Sequence, residues 1–281
     1  MKKLLLLPAL LLCLPALSQT FQRYNLNYLD IALYNPAAAN SAPDRDLLVA
    51  NFDIDTPDVY GDAPTHLIDY SSKSYKSGSL IMSLSRDRYY WFSNYKLCGG
   101  YAFGIDTDGQ RLNIGATASL DFDRVNWSLA PVYTGYTGNR LYVLPDVNIG
   151  IEYCFNGFHI GVAVMNALSV PFRKEGELLL QNPRMLTAHT SLDLYLDSAR
   201  LQFSPYALVV YDGIDGSLDA GLFTRWSNMV SASYAFRTYE SRNLVTVGFM
   251  VPTTNLEFHV GYSWSSIVDQ KSVTLSLISF L

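Results

Sequence analysis

The sequence feature that most constrains the fold is a pair of alternating segments on either side of Asn156-Gly157. Apolar residues alternate with small or polar residues through residues 146–155, and the alternation resumes through residues 158–168. A period of two places each set on one face of a β-strand. Asn-Gly tolerates the positive φ angles that a two-residue hairpin turn requires. We therefore predict a β-hairpin with one apolar face and one small or polar face, in which the residues flanking the turn pair with each other.

This register places Glu152 opposite Gly161 and Cys154 opposite His159 on the small, polar face. A Cys-His pair can act as nucleophile and base, which leaves a membrane hydrolase as one hypothesis. The sequence shows neither an oxyanion donor nor a third catalytic residue beside this pair. We therefore interpret Cys154 and His159 as side chains that fill space near the turn, and we predict that the protein is not an enzyme.

Glu257 and His259 are the other pair that deserves a chemical interpretation. They lie two residues apart on one strand face, about 7 Å along the strand, which fits a solvated pair better than a metal site. The sequence contains no phosphate-binding loop, no dinucleotide fingerprint and no zinc-ligand spacing. We predict no catalytic, cofactor or metal site.

The N-terminus has the pattern of a secretory signal. Two lysines precede a leucine-rich run, and Ala-Leu-Ser ends at residue 18, so residues 1–18 form the predicted signal peptide. The run is too short for a transmembrane helix. Cleavage removes two of the 20 basic residues and none of the 25 acidic residues, which leaves a net charge of 18 − 25 = −7. An acidic chain is a poor candidate for a nucleic-acid-binding protein.

Alternating segments recur along the whole chain and predict fourteen strands within residues 46–281. Charged residues make up 16% of the chain, below the roughly 25% of a soluble domain. An exported chain of this kind is typical of a transmembrane antiparallel β-barrel of the outer-membrane type. The alternative is a secreted β-sandwich, whose strands also alternate. We expect residues 19–45 to form an N-terminal periplasmic segment or a short helix.

Connection lengths and inward charges favour the barrel. Odd-numbered connections are long and even-numbered ones short, as in barrels with long outer loops and short periplasmic turns. Several predicted inward faces carry one charge each, which a dry sandwich core would not accept without a partner. These residues are Asp121, Glu152, Asp193, Asp219 and Glu257. Cys98 and Cys154 fall on inward faces two strands apart, so we predict free thiols.

Aromatic residues near predicted strand ends suggest an interfacial girdle, with a scattered aromatic core as the alternative. The residues concerned are Tyr89, Tyr90, Trp91, Phe92, Phe223, Trp226, Tyr262 and Trp264.

Four segments in order resemble the PorP/SprF family of type IX secretion system membrane proteins. They are Tyr34-Asn35-Pro36-Ala37-Ala38-Ala39, Gly61-Asp62-Ala63-Pro64-Thr65, the central hairpin through Asn166, and Val273-Thr274-Leu275-Ser276. The resemblance implies an outer-membrane barrel of the Bacteroidetes type that takes part in protein secretion or gliding motility. It also implies two partners, a periplasmic OmpA-like peptidoglycan-binding lipoprotein and the C-terminal domains of type IX cargo.

The resemblance and the turn chemistry together give three groups of candidate residues. The group expected to contact the periplasmic partner or to seal the barrel end is Tyr34, Asn35 and Pro36. The group expected to shape the first outer loop is Gly61, Pro64 and Thr65. The group expected to set the central hairpin is Asn156, Gly157, Gly161 and Asn166. The predicted function is a type IX secretion accessory, and the alternative is an outer-membrane channel for small or hydrophobic solutes.

Overall fold

A computed structural model describes most of the chain after the predicted signal peptide. The described residues are 28, 30–41, 46–55, 65–72, 78–88, 91–129, 137–174, 177–238, 241–251, 253–266 and 271–280. The predicted signal peptide, Gly61 and Pro64 lie outside them. Within these residues, no helix is long and apolar enough to cross a membrane.

The described residues form a closed antiparallel β-barrel. The strands are β1 (Leu47–Asp55), β2 (Thr65–Ser71), β3 (Gly78–Arg88), β4 (Phe92–Thr107), β5 (Gln110–Asn126), β6 (Asn139–Phe155), β7 (Phe158–Met165), β8 (Pro171–Lys174), β9 (Glu177–Gln181), β10 (Met185–Leu192), β11 (Leu194–Leu196), β12 (Leu201–Tyr211), β13 (Gly216–Trp226), β14 (Val230–Arg237), β15 (Arg242–Val251), β16 (Leu256–Ser265) and β17 (Lys271–Phe280). Short 3-10 helices cover Ile31–Leu33, Pro36–Asn40 and Asp197–Ala199.

Fourteen strands make the barrel wall, which confirms the predicted fold class. β11 continues β10 along the same neighbour, β12, and β8 and β9 form a separate hairpin between β7 and β10. The wall closes where β1 pairs with β17. At this seam Asn51 accepts a hydrogen bond from Ser276, and Asp53 accepts one from Thr274.

The two faces of the wall reverse the arrangement of a soluble protein, because apolar side chains lie outside and polar side chains lie inside. On β5 the outward side chain of Ile114 is 47% exposed, whereas the inward side chain of Asn113 is 0% exposed. The same pattern of exposed apolar and buried polar residues continues around the wall. An apolar outer face of this extent is stable only against lipid. The alternation that predicted strands therefore also identifies the lipid-facing side, and the sandwich alternative is wrong.

The predicted inward charges are all partnered by polar side chains. Asp121 lies 3.6 Å from Lys96 Nζ, and Asp219 lies 2.8 Å from Arg237 Nη2. Asp193 accepts a hydrogen bond of 2.5 Å from Ser204. The lumen is thus filled by polar networks, which satisfy groups that lipid could not. Glu152 and Glu257 have larger networks, described below.

The central hairpin has the predicted register. Cys154 pairs with His159, and Glu152 pairs with Gly161. The turn residues Asn156 and Gly157 have φ angles of 48° and 78°, as a two-residue hairpin requires. We call the end of the barrel that carries this turn the short-turn end, and the opposite end the long-loop end.

Alternation predicts strands over residues 95–105, 112–122 and 146–155, and β4, β5 and β6 extend beyond these bounds toward the long-loop end. The extensions pair polar side chains across the strands, for example Asn94 Nδ2 with Asp123 Oδ1 at 2.5 Å. Alternation also suggests an additional strand at residues 125–133, of which the structure describes residues 125–129. Val125 and Asn126 complete β5, and residues 127–129 form a turn.

Candidate functional site

The candidate site is formed by an N-terminal segment that lies inside the barrel. We call Tyr28 and residues 30–41 the plug. Pro36 begins its second 3-10 helix, where the fixed φ of proline suits a first helical position. Asn35 caps this helix by accepting a 3.0 Å hydrogen bond from the Ala37 N–H. Ala37 to Ala39 carry small side chains, so the helix packs closely against the wall.

A row of inward-facing glycines receives the plug. It consists of Gly104 on β4, Gly115 on β5, Gly150 on β6 and Gly161 on β7. A β-carbon on Gly150 would overlap Asn35 Oδ1, and one on Gly115 would overlap the backbone of Pro36 and Ala37. The row therefore forms a flat surface, which we call the floor. It lets the plug lie close to four neighbouring strands. We call β4–β7 the plug wall.

Polar side chains fix the plug on this floor. Asn35 Nδ2 donates a 2.9 Å hydrogen bond to the Ile151 carbonyl. Asn40 Nδ2 donates to Asn113 Oδ1 at 3.0 Å, and Asn40 Oδ1 accepts from Ser79 at 2.8 Å. Asn35 and Asn40 are both 0% exposed. Buried amides with this many partners specify one position and orientation of the plug.

Tyr34 anchors the plug on its apolar side. Its side chain, 1% exposed, packs with Met165, Met185, Leu208 and other residues of β7, β10 and β12. Its carbonyl accepts a 2.6 Å hydrogen bond from Thr187.

The start of the plug reaches the opposite side of the lumen. The Tyr28 ring lies 5.4 Å from Tyr206 and 5.2 Å from Phe223, and its hydroxyl lies 2.8 Å from Thr246 Oγ1. Burial raises the pKa of Tyr28 to about 12, so the hydroxyl stays neutral. Phe223, predicted as part of an interfacial girdle, is instead a buried lumen residue. The plug therefore spans the lumen from β12–β15 to the plug wall.

Asp30 forms an acidic contact between the plug and β2. Its carboxyl is 2% exposed and lies beside that of Asp69, which is 1% exposed. Burial raises the pKa of Asp30 to about 6, against the opposing effect of hydrogen bonds with the Asp69 side chain and the Ala32 backbone. Two carboxyls at one buried position are stable when a proton lies between them.

Glu152 is the hub of the plug wall. Its Oε2 accepts hydrogen bonds from Ser41 of the plug and, at 3.1 Å, from Asn113 Nδ2. Its Oε1 lies 3.2 Å from His189 Nε2 and 3.6 Å from His159 Nδ1. The carboxylate thus joins the plug to β5, β7 and β10.

Cys154 lies beside this hub as a free thiol, in agreement with the sequence. Its sulfur is 3.5 Å from Ser41 Oγ and 3.7 Å from Asn113 Nδ2.

A second buried glutamate lies across the lumen on β13–β16, which we call the opposite wall. Glu257 Oε2 accepts a 2.6 Å bond from Arg225 Nη2, and Oε1 accepts a 2.9 Å bond from Ser231. His259 Nε2 lies 3.1 Å from the same Oε1. Glu257 and His259 were predicted to be solvated. Both are buried, because Arg225 stabilises the carboxylate of Glu257 where water would otherwise solvate it.

The long-loop end is held by a third network. Asn166 follows β7 with a φ of 52°, and its N–H donates to Asn148 Oδ1 at 2.8 Å. Its side-chain amide donates to the Pro183 carbonyl at 3.1 Å. Asn166 therefore holds the base of the long connection between β7 and β10. The β8–β9 hairpin of that connection packs Leu180 against Tyr142 and other residues of the lumen.

The structure brings four predicted site residues together, namely Tyr34, Asn35, Pro36 and Gly161. Gly161 faces Asn35 and leaves room for it. Thr65 begins β2, away from this group.

Sequence reasoning missed the residues that complete the site. They are Asn40, Asn113, Gly115 and Gly150, together with Glu152 as a hub. Gly115 and Gly150 are direct cross-strand partners that both point inward. Paired inward glycines are the signal that would have located the floor.

A family model described as type IX secretion system membrane protein PorP/SprF matches residues 17–273. The chain belongs to the PorP/SprF family. Membership and the barrel together place this PorP/SprF protein in the outer membrane as a component of the type IX secretion system. Among curated protein sequences, none matches this chain significantly.

Solved outer-membrane barrels share the fold of this PorP/SprF protein. The Ralstonia pickettii toluene transporter TbuX has a TM-score of 0.59 at 8% identity, over 89% of this chain and 92% of that one. A Pseudomonas aeruginosa FadL homologue has 0.55 at 12% identity, over 88% and 92%. Acinetobacter baumannii Omp33 has 0.53 at 10% identity, over 84% and 98%. At these identities the likeness concerns the fold alone.

Proposed function

We propose that this protein is a non-enzymatic scaffold of the type IX secretion system. In this proposal the plugged barrel holds a periplasmic OmpA-like peptidoglycan-binding lipoprotein at its short-turn end. It also receives or retains the C-terminal domains of exported cargo or adhesins. Family membership supports the secretion role.

The observation that carries the scaffold proposal is the plug itself. Asn35 and Asn40 are fully buried against the plug wall, while Tyr28 contacts the opposite wall. A segment fixed on both sides suits a barrel that presents surfaces to partners more than one that conducts solutes. Closely packed, hydrogen-bonded groups also hold the short-turn end in one shape, which a stable partner interface needs.

Site-specific cross-linking in the native envelope tests this proposal. A photo-reactive residue at Asp108 or Asp197, both exposed at the short-turn end, should capture the peptidoglycan-binding lipoprotein. The same residue at Ser128, exposed at the long-loop end, should not capture it and serves as the matched control. Recovery of neither this lipoprotein nor type IX cargo from any position would overturn the scaffold proposal.

A channel for small or hydrophobic solutes is the second candidate. A cavity of about 360 Å³ remains beside the plug, and Ile31, Ala207 and Phe223 contribute apolar lining. This volume is within the range of small-molecule sites. In planar bilayers a channel should conduct, whereas the plugged scaffold should stay silent until the plug is displaced.

A further inference from the structure

The cluster around Glu152 has the composition of a metal site. Glu152, Cys154 and His159 each offer one ligand atom, and these three atoms lie within 4.8 Å of one another. The donors come from two strands, and the hairpin register that the sequence predicts brings them together. Thiolate, imidazole and carboxylate are the donors that Zn²⁺ and related divalent ions take in proteins.

The charge balance of the cluster favours a cation. Among the described residues, no lysine or arginine forms an ion pair with Glu152, whose charged contacts are His159 and His189. Arg111 pairs with Cys154 in the strand register, but its guanidinium lies 3.7 Å from Asp106 and donates to Asn113. A buried carboxylate without a permanent cation is costly. A divalent ion would supply a permanent positive charge beside the two histidines.

The surroundings already hold the donors in place. Asn113 donates to Glu152 Oε2 and lies 3.7 Å from the Cys154 sulfur. His189 holds Glu152 Oε1 from the other side. Ser41 contacts both Glu152 and Cys154, so its position matches a fourth corner. Glu152 and His159 also line the 360 Å³ cavity, which gives an ion a path to the cluster.

We propose that Glu152, Cys154 and His159 bind a thiolate-preferring divalent metal ion, with Zn²⁺ as the reference ion, and that Ser41 or a water molecule fills the fourth position. Binding replaces the proton of the Cys154 thiol with the metal, and the proton passes to solvent. Because Ser41 belongs to the plug and the three donors belong to the wall, the ion would fasten the plug to β6 and β7. This inference goes beyond the proposed scaffold role and does not depend on it.

Cobalt substitution tests the site in the full-length protein, purified in detergent and stripped with a chelator. Co²⁺ should produce a thiolate-to-cobalt charge-transfer band, and Zn²⁺ should abolish it by displacement. Cys154→Ala should lose the band, whereas Cys98→Ala, which removes the other free thiol, should keep it. Heat-modifiable migration on unboiled gels shows in each case that the barrel has assembled.

Two further variants measure affinity. Asn113→Ala removes a hydrogen bond to a ligand and should weaken metal binding by about 10- to 100-fold. His159→Gln removes a ligand and should weaken it by at least as much. The proposal is overturned if the assembled wild-type barrel gives no charge-transfer band. It is equally overturned if the band survives Cys154→Ala or disappears with Cys98→Ala.

Discussion

The plug wall and the opposite wall both bury a glutamate, but different groups stabilise its charge. Each buries a glutamate beside a histidine, Glu152 with His159 and Glu257 with His259. On the opposite wall Arg225 neutralises the glutamate, so the wall is complete by itself. On the plug wall the glutamate relies on histidines, an amide and Ser41 of the plug.

The two walls also differ in the size of the side chains that point into the lumen. The plug wall has inward glycines that the plug covers, whereas Gly248 on the opposite wall is covered by His259 of the same wall, beside bulky inward residues such as Phe223 and Arg225. A wall of large side chains fills its share of the lumen. A wall of small ones leaves space that another segment has to fill. In this barrel the plug lies against the wall whose inward residues are small.

The largest effect should follow from removing the cation that neutralises Glu257 on the opposite wall. Arg225→Ala leaves Glu257 buried without its cation and should lower the free energy of unfolding by about 3–5 kcal/mol. Urea-induced unfolding in detergent measures this loss. Combining Arg225→Met with Glu257→Leu should restore much of it, because neither charge then remains. An unchanged midpoint for Arg225→Ala would show that water already solvates Glu257.

The acidic contact of the plug should make its docking depend on pH. The folded pKa of Asp30, about 6, is above the ordinary value of 3.8. Docking is therefore strongest below about pH 4 and weakens as the pH rises through about 6, by at most about 3 kcal/mol. Asp69 is the facing carboxyl, and Asp30→Asn should reduce the dependence to what the buried Asp69 contributes. Hydrogen exchange of residues 30–41 at pH 5 and pH 8 measures it, and equal protection in the wild type would contradict the prediction.

The glycine floor can be tested with a matched suppressor. Gly150→Ala places a methyl group against Asn35 Oδ1 and should weaken plug docking by about 1–3 kcal/mol, with new conductance in planar bilayers. Asn35→Ala in the same chain removes the overlapping atom, so the double variant should dock better than Gly150→Ala alone. Gly216→Ala on the opposite wall, where an added β-carbon makes only an ordinary contact with Tyr211, is the control and should stay silent. If the Gly150→Ala barrel does not conduct, the floor tolerates a side chain at this position.

The smallest effect concerns the hydrogen bond between the Tyr28 hydroxyl and Thr246 on the opposite wall. Tyr28→Phe keeps the ring contacts with Tyr206 and Phe223 but loses the bond to Thr246. The expected loss in plug docking is about 0.5–1.5 kcal/mol. Protease cleavage within the plug should become several-fold faster, while barrel migration on gels stays unchanged. A loss as large as that of Gly150→Ala would mean that the opposite wall, not the plug wall, holds the plug.

The barrel could be predicted from the sequence because its signal is local and repeated. Alternation gave the strand number, the lipid-facing side and the pairing of Cys154 with His159. Strand ends were less predictable, since polar residues such as Asn94 and Asp123 satisfy each other across the lumen and extend the ladder.

The plug site could be predicted only in fragments. The resemblance identified Asn35 and Pro36, but nothing periodic relates Ser41 to Glu152, which is 111 residues away. Phe223 was misplaced for the same reason, because its partner Tyr28 precedes the first strand. Contacts between a non-repetitive segment and a repetitive wall depend on three-dimensional closure, which alternation does not encode.

The seam has a mechanical consequence. The plug ends at Ser41, shortly before β1, and β1 is the strand that closes the barrel against β17. A tension applied to the chain ahead of Tyr28 is borne first by the plug contacts and then by the β1–β17 ladder. The plug thus takes up a load before it reaches the ladders that hold β1 against β17 and β2.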